Sequence, residues 1–244
     1  MTEAAQDVDV EFRSQMTVEL VRAHASDSDV LFAARVSTKG ESSLEDVGAD
    51  ASRSAGLINY LMRDRHGSPF EHNSMTFYVQ APIFVFREFM RHRIASYNEE
   101  SGRYRELRPV FYVPGPDRKL QQEGKPGHYV FTPGTPEQHA LVTEHTQTTC
   151  RTAYAAYRSM LAAGITREVA RIVLPLTLYS SMYVTMNARA LMNFLSLRVA
   201  SEGATFPSSP QREIEMVAEQ MEAHWAALMP LTHAAFERAG RVAP

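Results

Sequence analysis

The sequence predicts a mixed α/β fold organised as a single domain. Residues 16–25, 74–80 and 177–186 are β-branched or alternate in polarity, as half-buried strands do. Between them lie stretches of helical periodicity, such as 187–199, where Leu191, Phe194, Leu195 and Leu197 supply an apolar side. No repeat and no long linker divides the 244 residues, a length that suits one large domain.

In chain order, residues 1–15 form a flexible, acidic N-terminal lead-in. The strand over 16–25 follows. Ser26-Asp27-Ser28-Asp29 then starts a short helix through Ser37. Polar residues 39–49 read as a loop, and Asp50 caps a helix carrying Ala51, Ala55, Ile58 and Met62. That helix breaks near His66-Gly67-Ser68-Pro69, because the residue before proline is pushed out of the helical region. Ser68 is expected on a turn with its hydroxyl free. In the strand over 74–80, Met75, Phe77 and Val79 face one side. Pro82 opens a helix to about Arg93, and a loop follows. Residues 114–136, dense in proline and glycine, read as a long irregular excursion. Pro136 to Ala163 is a long helix ended by Gly164. Thr166 caps a short helix from Arg167 to Leu174, stopped by Pro175. After the strand over 177–186 and the helix over 187–199 come a loop at 200–210 and a last helix to Met229. The domain thus spans 16–229, and 230–244 is a C-terminal tail.

Net charge is −3, so no global basic field draws nucleic acid to the chain. An anion site must be a local concentration of arginines. The one cysteine, Cys150, excludes an internal disulfide framework and fits a reducing cytoplasm. It shares a helical register with Ala153, Tyr154 and Tyr157, which makes it a small buried apolar residue rather than a nucleophile. No histidine lies three or four residues from another, so no metal site is expected. Neither a Rossmann nor a Walker glycine pattern occurs.

The densest chemistry runs from Arg91 to Tyr104, with three arginines, His92, Glu99, Glu100, Ser101 and Gly102. Cations at a helix C-terminus offset the helix dipole, which would account for one arginine but not for this mixture. A second set comprises Arg171, Asn187, Arg189, Asn193 and Arg198. Arg189 and Asn193, four apart, share a helix face; Asn187 either caps that helix or reaches a ligand. Several guanidiniums suit a phosphate monoester, which they bind bidentately. A Ser-Gly pair lets backbone N–H groups approach closely. Glu71 and His72 are caps or loop contacts.

Arg91-His92-Arg93, seven residues and then Ser101 resemble the signature of the flavin-dependent thymidylate synthases. Ala33-Ala34-Arg35-Val36-Ser37, His66 to His72, Arg167 to Pro175 and Asn187 to Leu195 are similar to family segments in the family order. The resemblance covers roughly residues 16 to 229. It implies an α/β fold around a mixed, largely antiparallel sheet flanked by helices. It implies that dTMP is made from dUMP, with carbon from methylenetetrahydrofolate and electrons from NADPH through FAD. It further implies a homotetramer whose active sites form where subunits meet, without a cysteine nucleophile. Carried over residue by residue, Ser37, Ser68, Arg91, His92, Arg93, Ile94, Glu99, Asn187, Arg189 and Asn193 would contact FAD. Glu88, Arg91, Glu99, Glu100, Ser101, Gly102, Arg103, Arg171 and Arg198 would surround dUMP. Arg198 would help ionise the uracil N3, and His66 would lie near folate and flavin. The competing reading is a nucleotide- or nucleic-acid-binding protein that uses the arginines for phosphates only. The net charge and the lack of a basic stripe count against it.

Overall fold

A computed structural model describes residues 9–46, 54–126 and 128–244. The elements run β1 (Glu11–Arg13), β2 (Thr17–His24), α1 (Asp27–Lys39), α2 (Ala55–Arg63), β3 (Ser74–Pro82), α3 (Ile83–Phe89) and β4 (Ser96–Glu99). Then come β5 (Val110–Tyr112), β6 (Lys119–Lys125), β7 (His128–Pro133), α4 (Pro136–Ala162) and α5 (Arg167–Ala170). β8 (Tyr179–Met186), α6 (Ala188–Arg198), α7 (Arg212–Leu228) and α8 (Pro230–Arg238) complete the chain. Short 3-10 segments cover Gly40–Asp46, Ser68–Glu71 and Arg171–Val173. The expected class holds: a mixed α/β fold with a sheet flanked by helices. That sheet has four strands in the order β2-β3-β8-β4, and β2 pairs with β3 antiparallel.

The chain forms two compact units. The first takes the described part of Met1–Gln15, Ala81–Arg87 and Glu99–Ser180. Its core gathers Phe111, Cys150, Tyr154, Tyr157, Ala170 and Leu178. Two tyrosines of α4 clamp one backbone position. The Tyr154 hydroxyl donates to the Leu107 carbonyl at 3.0 Å, and the Leu107 N–H donates to the Tyr157 hydroxyl at 3.2 Å. This satisfies buried backbone groups outside any ladder. β1 lies parallel to β5, and β6 pairs with β7 antiparallel.

The second unit is Met16–Gln80, Glu88–Asn98 and Ser181–Pro244. Trp225, Phe70, Phe77, Phe89, Phe194 and Phe236 are fully buried there. On α7, Gln220 accepts from the Val18 N–H at 3.2 Å and donates to the Met16 carbonyl, which fastens the helix to β2. The Asp27 carboxylate is buried at the entry to α8. It accepts from the N–H groups of Leu231 and Thr232 at 2.9 Å and from the Thr232 hydroxyl at 2.6 Å.

Several expectations are corrected. The helix expected to reach Arg93 ends at Phe89, and Pro82 closes β3 instead of opening α3. The Tyr97 hydroxyl lies 2.9 Å from the Phe89 carbonyl and 2.7 Å from that of His92, so it takes the carbonyls a longer helix would have used. The stretch after Arg93 contains β4 rather than loop alone. The irregular excursion contains the β6–β7 hairpin; Gly127, between the two strands in sequence, lies outside the described residues. Of the expected 39–49 loop, Lys39 ends α1, Gly40–Asp46 is 3-10, and the last residues lie outside the described ones. The expected cap Asp50, with Ala51, also lies outside them; α2 starts at Ala55 after Ser54. Leu197, expected on the apolar side of α6, is 57% exposed. Glu11–Arg13 is a strand, and 230–238 is a helix with Ala235 and Phe236 buried. Residues 1–8 of the expected lead-in are outside the described set.

Candidate functional site

In the second unit the chain leaves α3 through a tight turn. The His92 N–H donates to the Phe89 carbonyl at 2.8 Å. Burial pushes the Tyr97 hydroxyl up to about 12, which keeps it a donor at the turn's centre. Phe89 stacks on Phe194 of α6 with centroids 5.0 Å apart, and His92 meets the same ring edge-on at 4.9 Å. This packing fixes His92 and leaves its neighbours outside: Arg91 and Arg93 are exposed, and Ile94 is 75% exposed. Among the described residues, neither of those two guanidiniums has an acidic partner.

Arg198, on the last turn of α6, is the most constrained of the candidate arginines. Its side chain is 16% exposed and its Nη1 lies 2.6 Å from Glu88 Oε2. Its Nε donates to His92 Nε2 at 3.1 Å, so that nitrogen is an acceptor and the imidazole is neutral. Burial, and then the Arg198 charge, hold His92 down to about 4. Below its ordinary value near 6.5, the unfolded chain takes a proton that the folded one refuses. Stability should therefore fall between about pH 6.5 and pH 4. Thermal melts of His92→Asn should show a flatter acid limb than those of the parent.

Near the start of α6, Asn187 acts as the cap: its Oδ1 accepts from the Ala190 N–H at 2.8 Å. Buried Asn73, which the sequence did not single out, accepts from the Ala188 N–H and donates to the Phe70 carbonyl. It joins the helix start to the Ser68–Glu71 turn. Both α1, which carries exposed Ser37, and α6 pack on that turn, where Ser68 is exposed as expected. Glu71 proves to be a loop contact, 2.5 Å from Arg189 Nη1. Arg189 Nε also donates to the Pro244 carbonyl. Gly67 makes room for this guanidinium: a Cβ there would lie 2.5 Å from Arg189 Cζ. The Asn193 amide bonds back to the Arg189 carbonyl at 3.1 Å. His66 is exposed and stacks on Tyr60 with centroids 5.6 Å apart.

In the first unit, Ser101 and Gly102 form a turn whose Ser101 carbonyl accepts from the Tyr104 N–H at 3.0 Å. Gly102 is buried; a Cβ would meet Leu107 Cδ1 at 2.8 Å and Arg171 Cδ at 3.2 Å. The tyrosine clamp on Leu107 therefore also sets where this turn and Arg171 lie. Glu99 accepts from the Ser180 hydroxyl at 2.7 Å, a contact the alternation of residues 177–186 did not reveal. Much of the Glu99 residue is exposed, yet burial around its carboxyl, partly offset by Ser180, raises its pKa. Arg103 pairs with Glu168 in an exposed pair of small energetic weight, and Arg105 lies 3.6 Å from Glu100, whose side chain is only 19% exposed. Cys150 is buried with its Sγ 3.4 Å from Thr177 Oγ1, and burial raises the thiol pKa. A thiol held protonated is a poor nucleophile.

Residues 19–231 match the family described as thymidylate synthase complementing protein. The chain belongs to this family. It is 69% identical to the flavin-dependent thymidylate synthase of Streptomyces coelicolor over 241 residues, 98% of each chain. Its identity to the enzyme of the same description from Tropheryma whipplei is 60%, over 97% of this chain and 98% of the relative. Among solved structures it is similar to the UMP/dUMP methylase PolB from Streptomyces cacaoi bound with 5-Br dUMP. There the TM-score is 0.91 and the identity 56%, covering 96% of this chain and all of that one. The thymidylate synthase complementing protein family is thus represented here along nearly the whole chain.

Proposed function

We propose that this protein is a flavin-dependent thymidylate synthase: dUMP and methylenetetrahydrofolate give dTMP and tetrahydrofolate, with NADPH as electron source and FAD as carrier. The observation that carries this reading is the 69% identity to such an enzyme over 98% of both chains.

The residues fit FAD. Arg91 and Arg93 are two exposed guanidiniums without acidic partners among the described residues, and exposed Ile94 follows them. That set suits a ligand combining a diphosphate with flat apolar rings. In this reading His92, Asn187, Arg189, Asn193, Ser37, Ser68 and Glu99 complete the cofactor contacts. FAD, when bound, supplies hydride transfer. The chain's own part is to bind and polarise the nucleotide. Glu99, Glu100, Ser101, Gly102, Arg103 and Arg171 are assigned to dUMP, with Glu88 and Arg91. Arg198, always charged and held by Glu88 and His92, stabilises the negative charge left when the uracil N3 loses its proton. His66 lies beside the folate.

Purified protein should be yellow and should form dTMP from dUMP, methylenetetrahydrofolate and NADPH. Folded protein that binds no FAD and makes no dTMP would overturn the reading. Gly67→Ala should push the flexible end of Arg189 aside and weaken FAD binding about tenfold, equivalent to one charge-assisted hydrogen bond. Flavin fluorescence titration measures this, with melting of the apoprotein nearly unchanged. Cys150→Ala should keep most activity, and near-complete loss in a folded variant would revive a cysteine mechanism.

Homotetramer formation is part of the proposal. Exposed Val169, Ile172, Val173 and Leu176, between 44% and 75% accessible, are apolar surface suited to a second copy of the chain. Sedimentation should report four chains. The family domain is assigned to 16–229. Among the described residues no helix is long and apolar enough to cross a membrane, and a free buried cysteine suits the cytoplasm proposed here.

A further inference from the structure

A cleft of about 760 Å³ opens in the second unit between α2 and α8. Its floor is apolar, with Met62, Ala235 and Ala239. Its rim carries Arg63, Arg65 and Arg238, and none of its lining residues is acidic. The volume lies within the range of small-molecule sites.

The three arginines are held differently. Arg63 is bidentate to Asp64, with Nε at 2.8 Å and Nη2 at 3.0 Å, so its charge is locally balanced. Arg238 points its Nε and Nη2 at the amide oxygen of Asn59, a neutral acceptor that orients the guanidinium and leaves its charge uncompensated. The neighbouring Glu237 is paired elsewhere, with Arg241. Arg65 has no side-chain partner among the described residues. Its backbone is left-handed, at φ 61°, in the turn that ends α2, where its N–H reaches the Met62 carbonyl. That position favours glycine, because a Cβ is strained there. A long cation at a strained position, on the rim of a cleft without acids, points to a ligand.

The cleft is also connected to the proposed reaction centre. Tyr60 lines it and stacks on His66, the residue assigned to folate. We propose that the α2–α8 cleft binds the anionic extension of a co-substrate whose reactive ring lies beside His66. The ligand chemistry is consecutive carboxylates or phosphates on a flexible chain. Its two sources are a glutamyl tail on the folate and the phosphates of NADPH. The identity of the ligand rests on the thymidylate synthase reading; the cationic cleft does not.

The test uses FAD-loaded protein at low salt. Tri-γ-glutamate and inorganic pyrophosphate are titrated calorimetrically into the parent, Arg65→Gly and Arg238→Gln. The parent should bind at least one probe, and each variant should bind it about tenfold more weakly or worse. Arg65→Gly relieves the strained backbone, so it should melt no lower than the parent, which separates lost binding from lost folding. Steady-state kinetics then assign the source. A raised KM for triglutamyl but not monoglutamyl methylenetetrahydrofolate, at unchanged kcat, identifies the folate tail. A raised KM for NADPH at unchanged kcat, with the KM for triglutamyl methylenetetrahydrofolate unchanged, identifies the phosphates. The proposal is overturned if neither probe binds the parent, or if both variants bind and turn over as the parent does. If the parent makes no dTMP but the variants still lose probe binding, the functional reading fails and the anion site stands.

Discussion

Arg198→Ala should lower turnover on dUMP by roughly 100- to 1,000-fold, the range for removing one donor that stabilises developing negative charge. FAD retention should change little, because the exposed guanidiniums of Arg91 and Arg93 belong to the preceding turn. The asymmetry follows from the packing around Arg198. Glu88 sits at 2.6 Å and His92 Nε2 at 3.1 Å, so the guanidinium is fixed in direction before any ligand arrives. Because His92 is neutral, it orients the arginine without adding a second positive charge. Arg198→Lys should recover only part of the activity. Lysine keeps the charge but cannot present a planar fork to both partners. Stopped-flow turnover with flavin absorbance gives both quantities in one sample. Equal losses of turnover and FAD would place Arg198 in the cofactor site instead. Negligible loss of either would remove it from the reaction.

Asp27→Ala should be the most damaging single change remote from the proposed chemistry. One carboxylate, 5% exposed, accepts three hydrogen bonds at the entry to α8. Two come from backbone N–H groups at the helix N-terminus, where an anion is also favoured by the helix dipole. Removing it leaves buried donors unpaired and costs about 3 kcal/mol. For a chain of this size that lowers the melting temperature by roughly 10 °C. Differential scanning calorimetry measures the shift, and a change within about 1 °C would show that α8 does not depend on this contact. Asp27→Asn keeps an acceptor oxygen and should fall between the two.

Strong periodicity made much of the scaffold legible. Alternation in 177–186 becomes β8, and Met75, Phe77 and Val79 are fully buried on β3. The Thr135–Gln138 capping box and Gly164, at φ 81°, bracket α4 near the expected ends. Short strands escaped because three or four residues carry too little pattern: β1, β4 and β5 gain their identity from the partner strand. The end of α3 escaped because the Tyr97 hydroxyl decides it from eight residues beyond Phe89. α8 escaped because its entry is held by Asp27, 205 positions before Thr232.

The candidate site divides along the same line. By itself the sequence determined which chemical groups are available: Arg91-His92-Arg93 and Ser101 in one motif, Arg171, Asn187, Arg189 and Arg198 in later segments. Residue type fixes charge and hydrogen-bonding capacity, and local spacing fixes helix or strand. Only the tertiary structure decided which groups are spoken for. Asn187 spends its oxygen on a helix cap, Arg189 meets Glu71 across 118 positions, and Arg198 meets His92 across 106. Such pairings depend on packing between distant elements, notably Phe194 against Phe89 and His92, which no local pattern encodes.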